Sequence, residues 1–428
     1  MRIRARRRGV GLLAAAAVLV TAAPAEATPL YTASQVLAPT TSNINQGLSM
    51  QMYGGRIPDL ATAQKIALSH TTISLGPAQL NGFGPAMKRA NPNLRIFLYL
   101  NGMYAGASQG SLFPSSWYMH AKDGSTIQSV GYGNYLMDPR STAPYTAGGV
   151  TYAGWADWVA HKCKAQLTAA GAGAADGCFV DMLGSAPLSP GYNRGGEVPA
   201  ADASGTPFTG TSWYQDITGP VADRVERFTG DPVLANGIGS GRRYFGTSMG
   251  PSRLLLDYAT AGDAEVWMRS PGQPLTTFPT DAAWRSEVQM LSDSSVLDRG
   301  VNATVKTWTA GTTAQIEQWR RFTLGSFLLG NQGHATFEFS GSQTQIAWSD
   351  DSPLYHLALG APTETYPSIA SYLHGGVYTR GFTNGEVLVN TGTAPVTVTL
   401  AGTYYTVDHQ AVGQVTVQPH DAVILTLS

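Results

Sequence analysis

The chain has 428 residues, with 27 Lys and Arg against 28 Asp and Glu, and charged side chains make up only 13% of it. That is about half the usual share, and so even a balance speaks against nucleic acid or an anionic membrane surface as partner. Plentiful Gly, Ser, Thr, Tyr and Trp suit an extracellular protein that faces a neutral, hydroxyl-rich ligand.

Residues 1–27 read as a signal peptide. Arg2, Arg4 and the run Arg6-Arg7-Arg8 precede the apolar stretch GVGLLAAAAVLVTAA, and Ala25-Glu26-Ala27 supplies the small residues of a cleavage site. The stretch is too short and too rich in Ala to span a membrane, so a secreted, extracellular protein is expected. That segment holds five Arg and one Glu, which leaves 22 basic and 27 acidic residues beyond it. The remaining length fits one large domain over 28–367 with a small one over 368–428.

Short β-branched or aromatic runs then alternate with helical stretches, the pattern of a parallel sheet with crossover helices. Strands are expected at Ser49–Tyr53, Thr72–Leu75, Arg95–Leu100, Gly177–Asp181, Val233–Asn236, Leu254–Tyr258, Ala303–Thr307 and Ala335–Phe339. Helices are expected at Leu60–Ala67, Pro85–Ala90, Ala156–Ala169, Trp213–Thr229, Thr280–Val296 and Thr313–Leu329. Eight strands with intervening helices make an α/β fold, a (β/α)8 TIM barrel. Long loops at about 102–151 and 184–210 both follow strands, which places them on the carboxyl face, where loops of this length are usually functional. From about Ser368 the segments VYTRGFTNGEVLVNTG, APVTVTLAG, YYTVDHQAVGQVTVQ and DAVILTLS alternate with period two between Gly-containing turns, predicting a small C-terminal antiparallel β-sandwich. Cys163 and Cys178 are the two cysteines, and export makes a disulfide between them the expected state.

Barrel enzymes carry their catalytic groups where strands end. Asp181 follows Cys-Phe-Val directly at the end of the fourth strand, a costly place for an unpartnered carboxylate. Around the sixth strand, LLLDYATAGDAEVWMRS offers Asp257, Asp263 and Glu265; Trp267 beside Glu265 would desolvate it and suit a proton donor. Asp257 reads as a structural partner, Asp263 as a substitute for Glu265, and Glu338 in ATFEFS as a rival acid. Asp181 and Glu265 are therefore the candidate catalytic pair, since hydrolysis of a glycosidic bond needs two carboxyls across it. Tyr53, Asn101, Asn236 and Lys306 at strand ends are candidate contacts to sugar hydroxyls. Trp117, Tyr118, Trp155, Trp213, Trp267, Trp308 and Trp348 are candidate stacking platforms, with Trp155 and Trp158 more suited to packing. The glycine-rich run 237–241 lacks the Lys-Ser/Thr of a phosphate loop, no G-x-S-x-G elbow appears, and the eight His are dispersed. No metal or other cofactor is expected.

The segments FVDMLG, VLANGIG, AEVWMR and YTRGFTNGEVLVN together resemble the glycoside-hydrolase-like barrels of exported actinobacterial proteins, the hypothetical glycosyl hydrolase family fifteen-like group. A more distant similarity is to α-galactosidase and endo-α-polygalactosaminidase barrels, which place an Asp on strand four and an acid on strand six. That similarity implies Asp181 as nucleophile or base and Glu265 as proton donor. The expected activity is hydrolysis of O-glycosidic bonds in an extracellular or cell-wall polysaccharide or oligosaccharide, by a monomer without nucleic-acid or membrane partners. The alternative is a catalytically silent barrel that binds glycan.

Overall fold

The computed structural model describes residues 28–37, 49–52, 57–246, 249–341 and 352–428. The expected signal peptide, Tyr53 and Trp348 lie outside the described residues.

Eight parallel strands form the barrel: β1 (Ser49–Met52), β2 (Thr72–Leu75), β3 (Arg95–Asn101), β4 (Gly177–Asp181), β5 (Val233–Asn236), β6 (Ala261–Ala264), β7 (Gly300–Lys306) and β8 (Thr336–Ser340). Their ladders join them in chain order, and β1 returns against β8. A short α1 (Ala33–Val36) precedes the barrel. Crossover helices include α2 (Leu60–Ser69), α3 (Pro77–Ala90), α4 (Trp155–Ala170), α5 (Gly219–Thr229), α6 (Gly241–Tyr244), α7 (Asp281–Val296) and α8 (Thr313–Gly330).

Local chemistry sets these boundaries. Asp59, Thr280 and Thr312 cap α2, α7 and α8 by accepting a backbone N–H with the side chain, and Pro77 opens α3 at its first turn, where no donor is lost. Gly230, at φ +70°, ends α5. One expectation fails. Leu254–Tyr258 is not the sixth strand; Ser252–Asp257 forms a 3-10 turn with Leu255 and Leu256 buried and Asp257 exposed. The sixth strand is the neighbouring AGDA, which its own composition hides because Gly, Ala and Asp are poor strand formers.

The barrel has a closed end and an open one. Phe97, Phe179, Leu234 and Ala261, early in β3 to β6, pack with Ala33, Val36 and Leu37, so α1 plugs the amino end of the barrel. Backbone N–H of Ala33 donates to the carbonyl of Asp298 just before β7, which fixes the plug. The β6–β8 side of the interior is polar. Asp263 accepts from Asn302 and Thr304, and Glu338 accepts from the same Thr304 hydroxyl.

The tail is a six-stranded antiparallel sheet: β9 (Leu373–His374), β10 (Val377–Phe382), β11 (Gly385–Asn390), β12 (Val396–Tyr405), β13 (Ala411–Val417) and β14 (Asp421–Thr426), in the order β9-β10-β11-β14-β12-β13. The β12–β13 ribbon joins β14 at the pair Tyr405↔Thr426 and encloses Val377, Leu388, Leu400, Val417 and Leu425. The expected sandwich is thus one sheet folded on itself. Its other side rests on α8, where Ala422 and Val389 meet Gly325. Cys163 of α4 and Cys178 of β4 form the expected disulfide, both sulfurs buried. Among the described residues no helix is long and apolar enough to cross a membrane, and no three His, Cys, Asp or Glu gather as a metal site.

Candidate active site

The carboxyl ends of β4 to β7 bring four of the candidate residues together. Asp181 is the last residue of β4, Asn236 the last of β5, Glu265 the first after β6 and Lys306 the last of β7. Asn236 Nδ2 donates to Asp181 Oδ1 at 2.7 Å and to Glu265 Oε2 at 2.8 Å, so one amide nitrogen bridges the two carboxyls. Asp181 also accepts from the Tyr99 hydroxyl at 2.8 Å and from the backbone N–H of Met182 at 2.7 Å. Lys306 Nζ donates to the other oxygen of Glu265 at 2.5 Å, and its ammonium lies 4.9 Å from the centre of the Trp308 ring. Arg269 in turn donates to the Lys306 carbonyl, tying the loop that carries Glu265 to the end of β7.

Two methionines hold these loops in left-handed backbone: Met182 at φ 68° directly after Asp181, and Met268 at φ 66° three residues after Glu265. Such strain costs on the order of 1–3 kcal/mol per residue and persists where surrounding contacts enforce it. For Met268 the enforcing group is Glu287, a buried carboxyl on α7 that accepts the backbone N–H of Gly241 and of Met268 and is pushed up to about 7 by its burial.

The charges of the pair are unequal. Burial raises the Asp181 carboxyl to about 6, the negative charge of Glu265 adds to the rise, and the bonds from Tyr99, Met182 and Asn236 oppose it. Burial also disfavours charge on Glu265, but the Lys306 cation outweighs it, helped by the bonds from Lys306 and Asn236, and Glu265 ends below its ordinary value. Its side chain keeps 34% of its surface accessible. Trp267 is fully buried and donates to the Glu287 carbonyl, so it packs in the core and is no exposed stacking platform.

The pair lines a cleft of about 260 Å³, with Met182, Tyr192, Gly237, Gly239 and Arg243 among its walls. Two larger cavities, of about 560 and 400 Å³, lie beside the tail and at α7, and among the described residues no Asp or Glu side chain lines either. Gly237 is obligatory in the cleft wall, because a Cβ there would stand 2.7 Å from the Leu183 carbonyl carbon. The remaining candidates are placed elsewhere. Asn101 Oδ1 accepts the backbone N–H of Met103 and Tyr104, an ordinary loop cap. Trp308 is half-buried at the mouth and donates to Ser340. Trp117, Tyr118, Trp155 and Trp213 are buried. Asp263 and Glu338 sit inside the barrel, two residues before Glu265 and Ser340 on their strands and thus one layer below the mouth. Sequence reasoning missed Tyr99, Tyr192 and Arg243. Strand alternation places Tyr99 on the face of Asn101 and was the available signal; Tyr192 and Arg243 stand beyond their strands, where no periodicity marks them.

The model of one family matches residues 88–386, which include the carboxyl pair and its bridging amide. The chain belongs to the hypothetical glycosyl hydrolase family 15. This family-15 member is a glycoside hydrolase with a (β/α)8 barrel and a C-terminal antiparallel sheet. Among solved structures it is similar to an α-amylase from Malbranchea cinnamomea, at 9% identity and a TM-score of 0.47 over 87% of this chain and 89% of that one. An α-amylase from Geobacillus thermoleovorans in complex with acarbose follows at 9% identity and 0.45, over 90% and 98%. A xylanase, Xyn30A, from Clostridium acetobutylicum gives 10% and 0.42, over 89% and 94%. No curated protein matches in sequence.

Proposed function

We propose that the protein is exported and hydrolyses O-glycosidic bonds of an extracellular or cell-wall polysaccharide with retention of configuration, using Asp181 and Glu265. The observation that carries this reading is the Asn236 bridge. Two carboxyl oxygens at 2.7 and 2.8 Å from one nitrogen can be no further apart than those distances combined. That upper limit for the nearer oxygens accords with the about 5–5.5 Å of retaining enzymes and lies below the about 6.5–9.5 Å that inverting enzymes need for a water.

The charge balance supports roles opposite to those implied by the α-galactosidase resemblance. When the environments of two carboxyls push their proton affinities apart, the higher one serves as acid. Glu265, kept ionised by Lys306 and aimed by Asn236, attacks the anomeric carbon; Asp181 gives its proton to the departing oxygen. Asp181 then takes a proton from water, whose oxygen displaces Glu265 from the sugar, and both groups return to their starting states.

Aryl glycosides with a good leaving group separate these roles, because their departure needs no acid. Asp181→Asn should retain a burst of phenolate while Glu265→Gln loses it, and both should lose on the order of 10³-fold or more in kcat on a glycan. A burst surviving in Glu265→Gln and absent from Asp181→Asn would reverse the roles. Wild-type protein that binds glycans and releases no reducing ends would instead be a silent glycan-binding barrel.

A further inference from the structure

The cleft holds a second cation that the reaction does not use. Arg243, on α6 beyond β5, lines the same cavity as Asp181 and Glu265 and is half-buried. Its stem crosses Gly239, which sits at φ +74°; a Cβ there would stand 3.1 Å from Arg243 Cδ and 3.4 Å from Nη1. With no Cβ at Gly239, the Arg243 side chain lies close against the backbone of the cleft wall. Among the described residues no carboxylate pairs with Arg243, whereas Lys306 is engaged by Glu265. Half-buried and without a carboxylate partner among the described residues, its guanidinium is available to an anion entering the cleft. Its planar fork matches a carboxylate with two parallel bonds.

We infer that Arg243 selects acidic glycans by binding the carboxylate of a uronic acid residue seated in this cleft. The inference rests on the proposed glycosidase reading and names its substrate class. It departs from the neutral ligand suggested by composition, because a low overall charge says nothing about one cation in one cleft. Arg243 reaches the cleft from α6 and Glu265 from the end of β6, and among the described residues no ion pair joins the two. Lys306 is matched by Glu265, which leaves Arg243 as a cation on the cleft wall that a uronate would neutralise.

The test is calorimetric binding of galacturonate and glucuronate oligosaccharides against their neutral galactose and glucose counterparts, using Asp181→Asn protein so that turnover during the titration is slowed. Acidic oligomers should bind more tightly, and salt should narrow the gap. Adding Arg243→Gln should lower the acidic-to-neutral affinity ratio about 10- to 100-fold, the worth of a charge-assisted bond, whereas Arg243→Lys should keep part of it. A structural role would weaken both classes alike and leave the ratio unchanged, which overturns the inference, with melting temperature identifying any variant that fails to fold. Neutral oligomers binding as well as acidic ones to the Asp181→Asn protein would also overturn it. Wild-type hydrolysis of neutral glycans alone would overturn the substrate class and leave the glycosidase reading standing; binding and hydrolysis of neither class would overturn both.

Discussion

At the scale of single residues, Asp181 is where function and stability pull apart. Its carboxyl keeps its proton in the folded protein up to about 6, against 3.8 ordinarily. A raised folded value means that the group's contribution to stability is complete below about pH 3.8 and is lost as pH rises through about 6. Removing the charge should therefore stabilise the fold at neutral pH. Asp181→Asn is expected to raise the melting temperature at about pH 8, through a gain in stability on the order of 1–3 kcal/mol, and to lose that advantage near pH 4. Melting curves of both proteins across pH check this, and a lower melting temperature for the variant at pH 8 would refute the charge conflict. The same shift sets the sign for turnover. Activity that needs Asp181 protonated and Glu265 ionised falls as pH rises through about 6, and a pH profile of kcat/KM flat between about 5 and 8 would remove Asp181 as the acid.

At the scale of elements, α4 and β4 show how a strand end is made firm enough to hold a buried carboxyl. Asp181 ends a strand whose second residue, Cys178, is bonded to Cys163 of the preceding helix across a sequence separation of 15. Closing a loop of that length removes conformational freedom from the unfolded chain worth roughly 3 kcal/mol. The Cys163→Ser, Cys178→Ser double variant should unfold about that much more easily, by denaturant titration. Denatured, unreduced wild-type protein should show almost no titratable thiol, and two thiols per chain would contradict the bond. Strands rich in β-branched and aromatic residues, such as RIFLYLN, announce themselves in the sequence because their preference and their burial agree. The sixth strand does not. Its four residues AGDA are held in place by β5 and β7 on either side, while the more apolar Leu254–Leu256 nearby turns as a 3-10 helix.

At the scale of the whole molecule, the tail is bound to the barrel through α8. Arg321 pairs with Asp421 at 2.6 Å, and the buried Arg380 donates to the carbonyls of Leu328 and Asn331 at 2.7 Å each, covering the carboxyl end of that helix. A chain ending at Tyr372 would leave those carbonyls unmet and Val387, Val389 and Ala422 missing from the core. It should lose solubility and melt at markedly lower temperature than the full chain. A shortened barrel with an unchanged melting temperature would show that the two parts fold independently.

Hydrophobic patterning along the chain was enough to determine seven of the barrel's strands, the antiparallel sheet that follows them and the position of Asp181, because burial and strand periodicity are local properties written into successive residues; the cysteine pair followed from its count and the expected export. Four of the residues that surround the reaction, Asp181, Asn236, Glu265 and Lys306, were legible as polar groups at or near strand ends. Only the tertiary structure decided what they do to one another. Asn236 lies 55 residues from Asp181 and 29 from Glu265, and Lys306 lies 41 from Glu265; their bonds exist because closure of the barrel brings the ends of β4 to β7 to one mouth. The same closure turned Trp267 into the core, put Asp263 and Glu338 a layer too deep, and gave the lower proton affinity to the acid beside the lysine. Proton affinity depends on neighbours within a few ångströms, and for these carboxyls the neighbours come from other strands.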